Sequence, residues 1–201
     1  METLEQMLQD AIWVAKSLFD RNKVSGSSAN LSFRFKNQIY ITGSGTCFGR
    51  LETDSFAVID LEGRHLSGIA ASKEAPLHLM LYGKDPAIKA VVHTHSFYST
   101  LWSCLENLDP DDAIPAITPY LRMKVGSIAL IPYAKPGSEL LFSLVRERLN
   151  AGDGFLLRNH GPVVCGKSVT DAFYGLEELE ESARIAWSLR GLPETEYGRL
   201  S

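Results

Sequence analysis

Apolar side chains recur at every third or fourth position near the start of the chain, which is the spacing of one helix face. They predict an amphipathic helix over about residues 2–22, with an apolar face made of Leu4, Met7, Leu8, Ile12, Val14, Ala15, Leu18 and Phe19. Similar spacing predicts later helices that begin at Ser72, Ser138 and Ser168, with Ser72 placed as an N-cap. Another helix is predicted over residues 97–105.

Between these helices lie short segments rich in β-branched and aromatic residues, which predict strands. Residues 29–35 and 39–42 predict a hairpin, and further strands are predicted over residues 56–60, 65–68, 90–96, 127–133 and 155–164, the last divided by a turn. Pro115 and Pro119 predict an extended segment that continues through Tyr120 to Lys124. Short strands interleaved with helices predict a single α/β domain over residues 1–201 with a largely antiparallel sheet.

Composition and charge exclude several classes of protein. With 201 residues, 45% of them hydrophobic and 22% charged, the chain is expected to be globular rather than disordered or fibrous. A formal net charge of −4 argues against non-specific nucleic-acid binding, which requires a basic surface. Three cysteines without CxxC spacing indicate neither a disulfide framework nor a cysteine zinc site. Without a basic leader or an apolar run of membrane-spanning length, we expect a cytoplasmic protein with no membrane partner.

Two histidines end the apolar strand over residues 90–96. His93 and His95 are two positions apart, so alternation along a strand would point both imidazoles to one side. Two such imidazoles supply half of a tetrahedral Zn²⁺ site or part of a site for another borderline divalent metal. Of the other three histidines, His160 has the most suggestive position, in a turn between two strands. The alternative is that these are ordinary polar residues satisfied by hydrogen bonds.

Two loops beside the hairpin contain glycine and hydroxyl side chains, at residues 25–28 and 43–46. That composition lets backbone N–H groups and hydroxyls approach a phosphate, although flexible turns have the same composition. Glu74 lies at the positive end of a predicted helix, where its alternative role is capping. His78, one turn later on the same face, is expected to pack rather than to ligate. The acidic cluster Glu177, Glu178, Glu180 and Glu181 is interpreted as a solvated helix face.

Five short motifs together are typical of one family. They are Ser28-Ala29-Asn30-Leu31-Ser32, Thr42-Gly43-Ser44-Gly45, Ser72-Lys73-Glu74, His93-Thr94-His95 and Arg158-Asn159-His160-Gly161. In this order and spacing they resemble the class II aldolase/adducin family over nearly the whole chain. The resemblance implies an α/β/α three-layer sandwich around a mostly antiparallel sheet, a four-fold homotetramer, and a divalent metal held by three histidines.

The same resemblance implies a role for each matching residue. His93, His95 and His160 would be the metal ligands, with Zn²⁺ favoured over Mn²⁺ or Co²⁺, and Glu74 the acid/base carboxylate. The phosphate-binding positions would be Asn30, Ser44, Gly45 and Ser72. Lys73 stands where sugar-phosphate aldolases often carry a serine, and would add a positive charge for a phosphate or carboxylate. Tyr120 is the approximate counterpart of a catalytic tyrosine from a neighbouring subunit, which residues 115–123 would reach.

Within the family, three segments are most similar to the members that decarboxylate 3-oxo-tetronate 4-phosphates: residues 72–78, 108–112 and 114–120. The resemblance thus implies a metal-dependent lyase that releases CO₂ from a small phosphorylated sugar acid through a metal-stabilised enediolate, leaving a ketose phosphate. Aldol cleavage passes through the same kind of enediolate. A fuculose-phosphate-like aldolase, a 4-epimerase and a non-catalytic adducin-type module therefore remain as alternatives.

Overall fold

A computed structural model describes residues 2–193 and 196–198, with six α-helices and eight strands named in those ranges. The helices are α1 (Leu4–Asp20), α2 (Ala75–Lys84), α3 (Phe97–Ser103), α4 (Tyr120–Lys124), α5 (Glu139–Glu147) and α6 (Val169–Leu189). The strands are β1 (Asn30–Phe35), β2 (Gln38–Thr42), β3 (Phe56–Asp60), β4 (His65–Gly68), β5 (Ala90–His93), β6 (Ile128–Ile131), β7 (Gly154–Leu157) and β8 (Gly161–Gly166). No helix in the described part of the chain is both long and apolar enough to cross a membrane.

All eight strands form one sheet in the order β4-β3-β2-β1-β5-β8-β7-β6. Every neighbouring pair is antiparallel except β6 and β7, which confirms the prediction of a mostly antiparallel sheet. Strand β5 lies between β1 and β8, so its last residue, His93, is opposite Asn30 on one side and Val163 on the other. This register brings three distant parts of the sequence to one place.

Apolar side chains cover both faces of the sheet, which makes the molecule an α/β/α sandwich as expected. On one face α1 and α6 form the main helical layer, and the core includes Leu18 and Leu176. On the other face α2 and α5 pack through Leu81, Phe142 and their neighbours. Alternate residues of β5 belong to different cores, since Val92 is in the first and Val91 in the second. The next residue in the alternation, His93, therefore belongs to the α2 face.

Serine caps the two helices predicted to begin at Ser138 and Ser168, but the cap predicted at Ser72 is absent from α2. Ser138 and Ser168 accept hydrogen bonds from the backbone N–H groups of Leu141 and Asp171, at the starts of α5 and α6. The prediction for Ser72 is wrong, because α2 begins at Ala75 and the N-cap position falls on Glu74. Proline explains the difference. A helix capped at Ser72 would need the N–H of residue 76 to donate to the Ser72 carbonyl, and Pro76 has no N–H.

Two other predictions are wrong. The residues from Tyr120 to Lys124 form the short helix α4 rather than an extended segment, because Pro119 has φ of −75° and ψ of −16°, which are helical values that start a helix. The acidic cluster on α6 is not uniformly solvated either. Glu180 is 2% exposed, and its carboxylate accepts hydrogen bonds from the first turn of α3.

Candidate active site

Three histidines meet at the end of β5. His93 is the last residue of the strand, His95 follows two residues later, and His160 lies in the turn that leads into β8. Their ring centroids are 5.1 Å apart for His93 and His95, 4.7 Å for His93 and His160, and 4.8 Å for His95 and His160. One nitrogen from each ring lies within 4.8 Å of the others, so the three could hold one metal ion. The strand itself ends at His93, so strand alternation alone does not place His95.

A glycine lets the His160 turn approach the other two histidines. A Cβ atom on Gly161 would lie 2.2 Å from the Thr94 carbonyl oxygen, which no side chain could tolerate. The preceding residue, Asn159, has φ of 53°, a left-handed conformation that asparagine adopts more readily than most residues. The Thr94 N–H also donates to the Pro162 carbonyl at 3.3 Å. The sequence Asn159-His160-Gly161 therefore shapes the turn and presents the imidazole at once.

Hydrogen bonding and burial prepare His93 to act as a ligand. Its Nδ1 lies 2.9 Å from the Pro162 carbonyl, which can only accept, so Nδ1 carries the proton and Nε2 keeps its lone pair. Burial, reinforced by the charge of His95, lowers the pKa of His93 to about 3. Burial, followed by the charge of His93, also lowers the pKa of His160 to about 3. Both rings are therefore neutral near pH 7, which is the form that binds metal.

Glu74 faces the histidines rather than the helix end. Its carboxylate is 4% exposed and makes no capping hydrogen bond, which argues against the capping alternative. Oε2 lies 3.5 Å from His93 Nε2, and Oε1 lies 3.7 Å from His160 Nε2. Asn30 Nδ2 donates to Oε2 at 2.8 Å, while Oε1 has no hydrogen-bond partner in the described protein. Among the described residues no lysine or arginine pairs with this buried carboxylate.

These donor atoms fit a divalent metal. The Nε2 atoms of His93 and His160 are 3.2 Å apart, close to the roughly 3.3 Å expected for two nitrogens on a tetrahedral ion with bonds of 2.0–2.1 Å. A buried carboxylate oxygen without a partner stands beside them. Neutral imidazoles with one negative oxygen form a donor set that suits Zn²⁺ and similar ions.

A cavity of about 450 Å³ opens in front of the histidines. Its lining includes His95, His160 and Glu74, and it also includes all five residues predicted to bind phosphate: Asn30, Ser44, Gly45, Ser72 and Lys73. The backbone N–H of Ser44 already donates to the Ala70 carbonyl, so the side-chain hydroxyl is the donor that this residue has left for a ligand. Hydroxyls, a glycine and a lysine next to a histidine cluster form a polar cavity whose donors are of the kind that suits a phosphate.

The sequence did not single out two features of this cavity. Pro136 lines it, and a Cβ atom on the next residue, Gly137, would lie 2.9 Å from Lys73 Cδ. The loop after β6 therefore packs on the Lys73 side chain, with Gly137 at a positive φ of 72°, and the Pro136-Gly137 pair was the local signal in the sequence. Ser27 and Ser28 also line the cavity, as the Ser/Gly composition of their loop indicated.

Other candidate residues lie outside this cluster. Tyr120 is 58% exposed on α4 and does not line the cavity of its own chain. His65 is exposed on β4, and its Nε2 lies 3.0 Å from the Ile69 carbonyl. His78 is fully buried and bonded to Ser32 and Asn30. A larger depression of about 590 Å³ along α1 is lined by no histidine and lies away from these groups, so the smaller cavity is the candidate active site.

Comparisons with known proteins agree with this geometry. The profile of the Class II Aldolase and Adducin N-terminal domain matches residues 9–187. The chain is 43% identical over 181 residues to a 3-oxo-tetronate 4-phosphate decarboxylase from Haemophilus influenzae, which covers 90% of this chain and 86% of that one. It is 37% identical over 185 residues to an L-fuculose phosphate aldolase from Methanococcus maripaludis, covering 92% and 98%.

Solved structures show the same fold. The crystal structure of Escherichia coli YgbL superposes with a TM-score of 0.91 at 37% identity, covering 96% of this chain and 93% of that one. The structure of an L-fuculose 1-phosphate aldolase gives a TM-score of 0.83 at 26% identity, covering 97% and 94%. The chain therefore belongs to the class II aldolase/adducin family.

Proposed function

We propose that this chain is a metal-dependent lyase that decarboxylates a 3-oxo-tetronate 4-phosphate, releasing CO₂ and leaving a ketose phosphate. Relatives named 3-oxo-tetronate 4-phosphate decarboxylase are 40–43% identical to it over nine-tenths or more of its length. The observation that carries the proposal is the position of Glu74. Its unpartnered Oε1 lies beside the histidine cluster, in the wall of a cavity lined by phosphate-binding groups.

His93, His95 and His160 would hold the metal, for which we propose Zn²⁺. The bound ion would supply Lewis acidity, stabilising the negative charge that the substrate oxygens acquire when the carbon–carbon bond breaks. The neutral state of His93 and its hydrogen bond to the Pro162 carbonyl keep one ring nitrogen available for this role.

The residues opposite the histidines would anchor the substrate. Ser44, Gly45 and Ser72 would donate to the phosphate oxygens, and Lys73 would add charge to the phosphate or to the substrate carboxylate. The side chain of Asn30 has a different main task. Its carboxamide is bonded to Glu74 and His78, which leaves one amide hydrogen for a ligand in the cavity.

Glu74 would transfer the proton. When CO₂ leaves, the electron pair of the broken bond stays on the substrate, and the carbon that carried the carboxylate must gain a proton. Asn30 holds Oε2, so Oε1 is the atom that would take a proton from water and deliver it to this carbon, which leaves Glu74 ionised again. A 3-oxo acid needs no external oxidant or reductant for this reaction, so the balance of electrons is complete.

Retro-aldol cleavage is the second candidate, favoured by the 37% identity to L-fuculose phosphate aldolases. It would need the same charge stabilisation and a proton transfer, so only the products separate the two reactions. We propose that Lys73, in place of a second serine, shifts the preference toward a substrate with a carboxylate.

A product panel tests the proposal. Purified protein is given four-carbon 3-oxo acid 4-phosphates, made in place by a kinase, and separately fuculose 1-phosphate and ribulose 5-phosphate. CO₂, aldehyde and epimer are measured in each reaction. The proposal predicts CO₂ from at least one acid and none when its phosphate is missing. Aldehyde from a ketose phosphate without CO₂ from any acid would replace the decarboxylase with an aldolase.

We further propose a homotetramer in which Tyr120 reaches the active site of a neighbouring subunit. Its 58% exposure, together with that of Met123 at 76%, supports a surface that a second copy covers.

The cytoplasm is the proposed compartment, because Cys47, Cys104 and Cys165 are all free thiols in the fold.

A further inference from the structure

A line of buried polar side chains leads from the interior to Glu74. Glu74, His78 and Tyr82 are four residues apart, so they lie on one face of α2 and its N-terminal extension. Asn30 and Ser32 alternate on β1 and face that helix, while Leu31 and Phe33 face the opposite core. All five side chains are buried, beside the apolar core of the α2 face.

The contacts form an unbranched chain of hydrogen bonds. Tyr82 OH lies 2.7 Å from Ser32 Oγ, and Ser32 Oγ lies 2.7 Å from His78 Nδ1. His78 Nε2 lies 2.5 Å from Asn30 Oδ1, and Asn30 Nδ2 lies 2.8 Å from Glu74 Oε2.

The Glu74 carboxylate sets the donor and the acceptor of every hydrogen bond in this series. An ionised Glu74 can only accept, so the NH₂ group of Asn30 must face it and the amide oxygen must face His78. That oxygen also only accepts, so His78 Nε2 carries a proton. Burial lowers the pKa of His78 to about 3, so the ring has a single proton and Nδ1 must accept from Ser32. The Ser32 oxygen then accepts from Tyr82.

We infer that His78 is a positioning residue: as a neutral Nε2–H imidazole it locks the Asn30 carboxamide in the orientation that donates to Glu74 Oε2. The inference rests on the proposed role of Glu74 as the proton-transfer group. Without His78, the Asn30 amide has no fixed partner behind it and can turn, and Glu74 can then rotate away from the histidines. Holding Oε2 in place keeps Oε1 beside His160, so the contribution of the hydrogen-bonded residues is to orient the Glu74 carboxylate.

A buried histidine that only fills space would behave differently. Packing requires volume, whereas positioning requires a hydrogen-bond donor at the place of Nε2. The amide nitrogen of glutamine occupies nearly that place, and the shorter asparagine reaches only the place of Nδ1. His78→Gln and His78→Asn are therefore a matched pair, because both are neutral amides and only the first can donate to Asn30.

The first experiment compares kcat, KM and metal content of the pair. We expect His78→Asn to lower kcat about 10–100-fold, the usual effect of losing an outer-sphere partner, with KM and metal content unchanged. His78→Gln should recover most of the loss. Equal kcat values for the two variants, whether near wild type or equally low, would overturn the inference. If Glu74→Gln is also fully active, the proposed function fails; if Glu74→Gln is inactive while His78→Asn is normal, only the positioning role fails.

The second measurement reads the protonation of the ring directly. In metal-free wild-type protein labelled with ¹⁵N-histidine, the inference predicts that one histidine has a protonated Nε2 and an unprotonated Nδ1 and exchanges its N–H with water slowly. His78→Gln identifies that resonance by its disappearance. A His78 ring protonated at Nδ1 would reverse the direction of the chain and contradict the inference.

Discussion

The Oε2 atom of Glu180 lies 2.9 Å from the backbone nitrogen of Ser99, in the first turn of α3. Oε1 accepts from the Tyr98 N–H at 3.1 Å, and Lys23 Nζ lies 3.6 Å from the same oxygen. Ser96, the residue at the N-cap position, makes no side-chain capping bond. A carboxylate from α6 therefore caps a helix that begins two residues after His95, and holds the end of the histidine segment.

Glu180→Gln should destabilise the fold. An amide offers one acceptor where the carboxylate offers two, so at least one buried N–H loses its partner, at a cost of about 1–3 kcal/mol. Urea unfolding measures the difference. Glu178→Gln is the matched control, since Glu178 is on the same helix and forms no ion pair among the described residues. Equal unfolding free energies for the two variants would show that the Glu180 contacts contribute nothing.

His95→Ala and His160→Ala should each lose metal and activity together. Removing one of three protein ligands leaves an incomplete coordination sphere, and residues outside that sphere cannot replace the lost ligand. Metal per chain, measured by mass spectrometry after dialysis, checks this. His65→Ala is the control because His65 is exposed on β4, away from the cluster. Full metal content in His160→Ala would remove that residue from the ligand set.

Glu74→Gln should lower kcat by about 10²–10⁴, the usual range for a lost proton-transfer group. The glutamine oxygen can still accept from Asn30 Nδ2, so the fold and the metal content should stay near wild type. The rate of CO₂ release and the metal content, both measured on the same sample, separate a loss of proton transfer from a loss of metal. Turnover within a few-fold of wild type would return Glu74 to a structural role.

Acid should destabilise the metal-free protein partly through His78. Burial, reinforced by the charge of His93 and partly offset by Glu74, lowers the pKa of His78 to about 3, against 6.5 in an unfolded chain. Below pH 6.5 the unfolded chain therefore binds a proton here that the folded chain does not, so the free energy of unfolding falls as pH falls. From pH 7.5 to 5.0 this amounts to about 2 kcal/mol.

In His78→Gln, the fall over the same pH range should be about 2 kcal/mol smaller. His93 and His160, whose pKa values are lowered by burial, are present in both proteins, and Tyr82, whose pKa is raised by burial, stays neutral in both. Urea titrations of the two metal-free proteins at the two pH values measure this. Identical pH dependence would mean that His78 is charged or exposed in the fold.

Tyr120 can be tested by mixing subunits. Tyr120→Phe and His160→Ala should each be impaired alone, but if Tyr120 serves a neighbouring site, mixed tetramers regain intact sites. If each site is built from two chains, refolding equal amounts of the two variants together should restore up to about a quarter of the sites. Such a site needs His160 from one variant and Tyr120 from the other. No gain over the separate variants, or an active monomer in sedimentation, would remove Tyr120 from the site.

Much of the fold could be predicted because the local patterns agree with the final packing. The opening helix, the hairpin and the strand that ends at His93 all appear near the predicted boundaries. The buried apolar side chains of the opening helix lie in one of the two hydrophobic cores, and those of the strands are divided between both. The start of α2 differed from prediction because the missing N–H of Pro76 outweighs the capping preference of Ser72.

The three histidines of the candidate site were suggested by their type and spacing, and its other residues by the resemblance to the family, but their supporting contacts were not predictable. His160 follows a strand and precedes Gly161, so its turn was visible in the sequence. Glu180 was not, because a charged residue inside an acidic run usually faces water, and its partners on α3 are 81 and 82 positions away. The bond between Asn30 and Glu74 likewise joins residues 44 positions apart, which only the sheet register brings together.

The most direct test of the account is a metal titration of activity. Metal-free protein is given increasing Zn²⁺, and in parallel Mn²⁺, while CO₂ released from a 3-oxo-tetronate 4-phosphate is measured. We predict no release without metal and a linear rise to a plateau at one equivalent per chain, absent in His160→Ala. CO₂ release that is undiminished in fully metal-free protein, or absent at every metal loading, would contradict the assignment of this chain as a metal-dependent decarboxylase.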